Sequence, residues 1–172
     1  SIKQSLSSYF EGESAVRNVK RPAGGLIEEE LHVLLRGLRG EYLRPGETKR
    51  VPFLPSAFHR RLKHLPLAWS TATIERLPGV YMVWVPAGNY SVNLYRVKTA
   101  DGREGRFWVE REYPHRIVQW EWDEAPRKTG RGSGESSESA GLAGSKRLEY
   151  WKLHANSDER YLENMGLRAP AQ

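Results

Sequence analysis

From Ala68 to Trp122 short apolar or alternating segments follow one another between tight turn signals, and this constrains the fold more than any other feature. Ala68 to Leu77 places Trp69, Thr71 and Thr73 on one side and Ala72 and Ile74 on the other. Val80 to Val85 is a nearly continuous apolar run of strand length, and Pro86-Ala87-Gly88-Asn89 turns the chain into Tyr90 to Thr99, which alternates again. Asp101-Gly102 reads as a hairpin turn into Gly105 to Glu112; Pro114 ends that strand, and His115 to Trp122 forms the next. A period of two over such lengths specifies strands. Connections this short favour antiparallel neighbours in a meander. The predicted fold is mainly β (α+β): a curved antiparallel sheet or half-open barrel of about seven to nine strands, with two helices packed on it.

The flanks supply the helices. Leu26, Ile27, Leu31, Leu34, Leu35 and Leu38 fall on one face at helical spacing, with Glu28, Glu29 and Glu30 where the helix dipole favours anions and Gly40 as a stop. This predicts an amphipathic helix of about three turns. A short strand is expected around Ser8-Tyr9-Phe10 and another from Lys49 to Leu54, where Pro52 restricts it to an edge or an irregular position. Ser56 to Leu65 reads as one or two helical turns carrying His59-Arg60-Arg61 and Lys63-His64. Residues 125–146 are rich in Gly and Ser and read as a flexible loop within a single domain spanning 1–172. Lys146 to His154 is expected to be a last strand, and Ser157 to cap a C-terminal helix running through Met165.

Composition narrows the function classes. A chain of 172 residues buries roughly 70% of its unfolded surface, so it needs no disulfide or metal staple. It has no cysteine, which removes thiol nucleophiles and thiolate metal sites. Its net charge of +6 would suit nucleic acid, anionic head groups or acidic glycans. The cations are interleaved with carboxylates, however, as in Glu110-Arg111-Glu112, which is the pattern of a solvated face. No stretch approaches the ~20 apolar residues of a membrane span.

Gly130 to Gly134 lacks the setting and the lysine of a phosphate loop, and no His-Glu-X-X-His pair occurs. His59 and His64 share a basic neighbourhood that repels a cation. Glu110 and Glu121 could face one another across strands as a glycosidase pair, although salt bridges to Arg106, Arg111 or Arg116 account for them more simply. No catalytic residue, metal ligand or cofactor is therefore assigned, and an enzyme of unrecognised type using cleft carboxylates stands third among the readings. The aromatic set stands out instead. Trp69, Trp84, Trp108, Trp120 and Tyr90 are candidates for a concave ligand-binding face, with Arg106 and Arg116 at its rim. A plain aromatic core explains the same residues, and base stacking on a basic sheet is a further alternative.

Val85-Pro86-Ala87-Gly88-Asn89-Tyr90, the hairpin Thr99-Ala100-Asp101-Gly102, Phe107-Trp108-Val109 and Pro114-His115-Arg116-Ile117-Val118 together resemble a family of bacterial envelope β-proteins of unknown function. Arg147 to Leu153, ending in Gly166-Leu167, is similar to the same pattern. The resemblance covers the second half of the chain. It implies a curved sheet like that of periplasmic lipoprotein carriers, and a location in the periplasm or cell envelope. Ser1 is not a methionine, and a targeting segment removed before it is expected; a cytoplasmic location is the alternative. The expected partner is a hydrophobic or amphiphilic small molecule or an envelope protein, with a basic nucleic-acid-binding module as the alternative function.

Overall fold

The computed structural model describes residues 2–6, 15–124 and 136–163. The chain is mainly β, with a strongly curled half-barrel sheet (197°) and a few short helices. β1 (Ile2–Leu6) and β2 (Ala15–Val19) form a separate antiparallel ribbon. The main sheet holds eight strands: β3 (Leu26–Ile27), β4 (Thr48–Leu54), β5 (Ser70–Arg76), β6 (Tyr81–Val85), β7 (Gly88–Thr99), β8 (Glu104–Glu110), β9 (Ile117–Asp123) and β10 (Ser136–Gly141). Its order is β10-β9-β8-β7-β5-β4-β3, with β6 also on β7. The meander expected from the turn signals is what forms, and among the described strands only the short β3–β4 pairing is parallel.

β5 and β6 are two halves of one path. Arg76 stands opposite Tyr95 and Tyr81 opposite Val92, so both halves run antiparallel to β7 and a break at 77–80 separates them. The Leu77 N–H donates to the Leu94 carbonyl within that break, keeping the two halves on the same partner strand. β4 accompanies only the β5 half.

Alternation assigns the faces. Val51, Phe53, Ala72, Ile74, Tyr95, Val97, Phe107, Val109 and Trp122 point to one side and form the main core with Leu31, Leu35 and Leu43. The core-bearing side of the curled sheet, taken here as its concave face, is thus covered by the protein's own segment 26–43. Trp122 lies flat against the sheet because β8 has a glycine opposite it: a Cβ on Gly105 would come within 2.8 Å of the ring. Gly25 gives Trp69 the same clearance, at 2.9 Å. Val85, Val92 and Val118 are also buried but lie outside the main cluster. There the Ala87 N–H donates to the Leu142 carbonyl and the Leu142 N–H to the Val118 carbonyl, lacing the β6–β7 hairpin tip to the end of β10.

Three buried or half-buried arginines pin the covering segment. Arg103, from the β7–β8 turn, makes two parallel hydrogen bonds to Glu28 at 3.0 and 3.1 Å, with the two side chains only 3% and 7% exposed. Its guanidinium lies 4.4 Å from the Trp122 ring centre, and the Glu28 carboxylate also accepts the Ser56 N–H. Arg76 donates to Glu41, to the Leu43 carbonyl and to Asn93. Arg36 donates to the carbonyls of Pro114 and His115.

Several expectations are corrected. The three-turn helix from Leu26 is not formed. Leu26 and Ile27 pair with β4, Glu28–Glu30 make a 3₁₀ turn, and only α1 (Leu31–Leu34) is α-helical before Gly37 turns the chain. The backbone of Leu26 and Ile27 gains ladder hydrogen bonds that a helix start would leave unmade. The part of 125–146 that is described is not a simple loop, since Ser136–Gly141 pairs with β9 as β10. Because β10 occupies that edge, 146–154 finds no place in the sheet and holds a 3₁₀ turn at Tyr150–Lys152 instead of the expected strand. Ser157 does not cap the C-terminal helix but lies inside a 3₁₀ turn at Asn156–Glu159, whose capping position is Ala155, and the α-helical part is α3 (Arg160–Glu163). Ser8-Tyr9-Phe10, 125–135 and Met165 lie outside the described residues.

Two outcomes are expected. Glu28→Ala leaves Arg103 buried without its counterion and should lower unfolding stability by about 3–5 kcal/mol in urea denaturation. His32 meets Phe107 and Trp120 edge-on, each at 5.5 Å, and its burial lowers its pKa from 6.5 against the opposing pull of Glu28, Glu29 and Glu138. The unfolded chain therefore binds this proton more readily, so stability is lost as pH falls below 6.5 toward the folded-state value. His32→Phe should flatten the fall of Tm with pH in that window, leaving the part due to His59, which burial and Arg103 lower in the same direction.

Candidate functional site

The seven residues predicted to line a concave face do not share one. Trp120 is on the covered side, opposite Phe107 and edge-on to His32. Trp108 and Arg106 alternate with Phe107 and so belong to the other side of β8. Arg106 is held there by Glu121 at 2.5 Å and by Asp123. Trp69 packs on Gly25. Tyr90 and Arg116 do come together, with the guanidinium 5.4 Å from the ring centre, but Arg116 is taken by Glu110 through two hydrogen bonds of 2.8 Å. The Arg116 hydrogen bonds hold the Glu110 carboxyl below its ordinary range despite partial burial. Glu110 and Glu121 thus each have an arginine, as the simpler reading of these acids expected. Trp84 stands apart from all of these in solvent.

Trp84 belongs to β6, whose geometry is that of an open sheet edge. β7 covers one side of β6, and among the described residues no strand covers the other. The Ser91 carbonyl accepts from the Arg111 N–H, on the β8 side of β7. Its partner Met82 is therefore in a non-hydrogen-bonded pair, and the N–H and C=O of Met82 and, by alternation, Trp84 point away from the sheet. The same two side chains are 70% and 71% exposed, and Val80 beside them is exposed as well. Edge strands are ordinarily protected by charge or proline. Here no Asp, Glu, Lys, Arg or His occurs from Leu77 to Tyr95. Sequence reading took Val80 to Val85 for an apolar strand and did not mark it as an edge. The lack of any charge through the following hairpin was the available sign of an unprotected edge.

A polar cluster gathers around α2 (Ala57–Leu62). His59 Nδ1 is 3.4 Å from Glu124 Oε1, Lys63 is 3.8 Å from the other oxygen of Glu124, and Arg60 meets Asp101 at 3.1 Å. Two adjoining clefts of about 270 and 300 Å³ share His59, Lys63 and Glu124. The His59–Glu124 approach lacks hydrogen-bond geometry and leaves Glu124 Oε1 buried without a hydrogen-bond partner; Arg60 Nε is likewise buried without one. Burial would raise the Asp101 carboxyl, but the Thr99 hydroxyl and the Arg60 and Arg103 guanidinia hold it below its ordinary value. Burial and the Arg103 guanidinium push the His59 pKa below its ordinary value, and its neighbours are engaged in pairing α2 to the sheet. No group of three or more potential metal ligands gathers among the described residues.

These placements have an optical consequence. Trp122 is buried, whereas Trp84 and Trp151 are exposed. Replacing both exposed residues by Phe should remove most of the acrylamide-quenchable emission and leave a blue-shifted, weakly quenched spectrum. An unchanged quenching constant in Trp84→Phe alone would contradict the open position of β6.

No family model, curated protein or solved structure matches this chain.

Proposed function

We propose that this chain is a non-enzymatic binding protein of the bacterial envelope, and that its partner is an extended segment of another polypeptide added along β6. The observation that carries the reading is the β6 edge: outward backbone donors and acceptors at Met82 and Trp84, beside exposed apolar side chains, in a stretch without charge. An added strand satisfies those backbone groups and covers the side chains at once, the combination used in strand-addition recognition. The covering of the concave face by 26–43 favours a polypeptide partner over a carried lipid-like molecule. The absence of cations from Leu77 to Tyr95 gives phosphate nothing to meet there, which disfavours nucleic acid at this edge. The envelope location rests on the resemblance of the second half of the chain to envelope β-proteins. No helix among the described residues is long and apolar enough to cross a membrane.

The test is to pan a random peptide display library on the folded protein and to map the selected peptides by amide hydrogen exchange. Peptides with alternating apolar residues are expected, protecting the Met82 and Trp84 amides. Met82→Pro removes an outward N–H that the sheet does not use, so it should abolish peptide capture while leaving the Tm nearly unchanged. Peptides that bind the proline variant equally well would refute the proposed mode.

A further inference from the structure

A second surface, on α2, has its polarity reversed. A helix lying on a soluble domain normally buries its apolar stripe and exposes its charges. In α2 the inward side chains are polar: His59 and Arg60 are mostly buried against Glu124 and Asp101. The outward side chains are apolar, with Phe58 65% and Leu62 61% exposed one turn apart, and Leu65 exposed just beyond them. The position of Leu65 is set by the backbone. The Leu65 N–H donates to the Arg60 carbonyl and the His64 N–H to the Arg61 carbonyl, with His64 at φ 53°, which closes the helix in a Schellman turn.

The charges carried by this segment itself have one sign, and the carboxylates beside the stripe are Glu124 and Glu138 next to Phe58 and Leu62, and Asp101 and Glu124 next to Leu65. From Thr48 to Ile74 the chain has five Lys and Arg residues and no Asp or Glu. Arg60 is spent on Asp101, and Lys63 reaches toward Glu124 while remaining substantially exposed. Arg61 and His64 are exposed beside the apolar stripe, and no ion pair to either is found among the described residues.

We propose that α2 and its closing turn dock on an anionic membrane surface, with Phe58, Leu62 and Leu65 entering the acyl boundary and Arg61 and Lys63 meeting lipid phosphates. Exposed apolar side chains framed by cations, on a helix already fixed by its polar side, are what an interfacial element requires. Charge complementarity selects the anionic surface over a neutral one. This surface is separate from β6 and does not depend on the partner proposed there.

The test is co-sedimentation of the whole chain with phosphatidylcholine vesicles, with and without phosphatidylglycerol, at low and high salt. Binding is expected only with phosphatidylglycerol and should weaken as salt rises. Arg61→Ala combined with Lys63→Ala should weaken it on the order of tenfold or more. Phe58→Ser combined with Leu62→Ser should weaken it by a similar factor through the loss of apolar insertion. Because Phe58, Arg61 and Leu62 project outward and the Lys63–Glu124 ion pair is partly exposed, circular dichroism should be unchanged and Tm should fall little, and the Met82→Pro variant should sediment like the parent. No sedimentation with anionic vesicles would overturn the proposal, as would sedimentation indifferent to the Phe58/Leu62 pair. A change of oligomeric state with that pair, without an effect on vesicles, would overturn it in favour of self-association.

Discussion

The buried pair of Arg103 and Glu28 organises this molecule. Withdrawing two charges from water is costly, and their attraction offsets the cost only if geometry and extra hydrogen bonds are good. Here the two terminal nitrogens of the guanidinium meet both carboxylate oxygens end-on, Ser56 donates a further N–H, and the Trp122 ring faces the cation. One contact thus joins the 3₁₀ turn after β3, the start of the α2 segment, the β7–β8 turn and β9. Gly105 is required by the same arrangement, since the ring needs its space. Loss of either charge would strand the other in the core.

That pair, with Arg76 and Arg36, also decides where the protein can meet anything else. The three arginines draw 26–43 across the inner face of the curl, where Leu31, Leu35 and Leu43 complete the core. A sheet of this curvature left bare would offer a cavity; covered, it offers a scaffold. Contact surfaces are displaced to the places where the chain leaves its own hydrogen bonds or apolar groups unused. Those are the outer side of β6, beyond the reach of β4, and the outer side of α2, which spends its polar side chains inward.

The two surfaces differ in chemistry in a way that suits different partners. The β6 hairpin has backbone groups to share and no charge, so it favours an ordered polypeptide strand. The α2 turn has its backbone closed on itself and presents only side chains, apolar at the centre and cationic at the side. Such a surface suits a fluid boundary that needs no register.

Much of the fold was legible because local signals act alone in a meander. Tyr90 to Thr99 and Gly105 to Glu110 alternate, Asp101-Gly102 turns, and the strands pair where the turns put them. The basic run at His59 was readable as helix, and the acids Glu110 and Glu121 as arginine partners. Period-two alternation tells which residues share a side but not which side is covered, so Trp108 and Trp120 were grouped together although successive strands place them on opposite faces. The helical spacing of Leu26 to Leu38 was real, yet β4 offered backbone hydrogen bonds that cut the helix short. Ser136 to Gly141 has no apolar signal at all, and it becomes a strand because the edge of β9 was open. Sequence alone determined the strands and turns, which are settled by neighbours a few residues apart. The buried arginines, the filled concave face and the open edge were decided only by tertiary structure, because each depends on a counterion or a ladder partner far away in the chain.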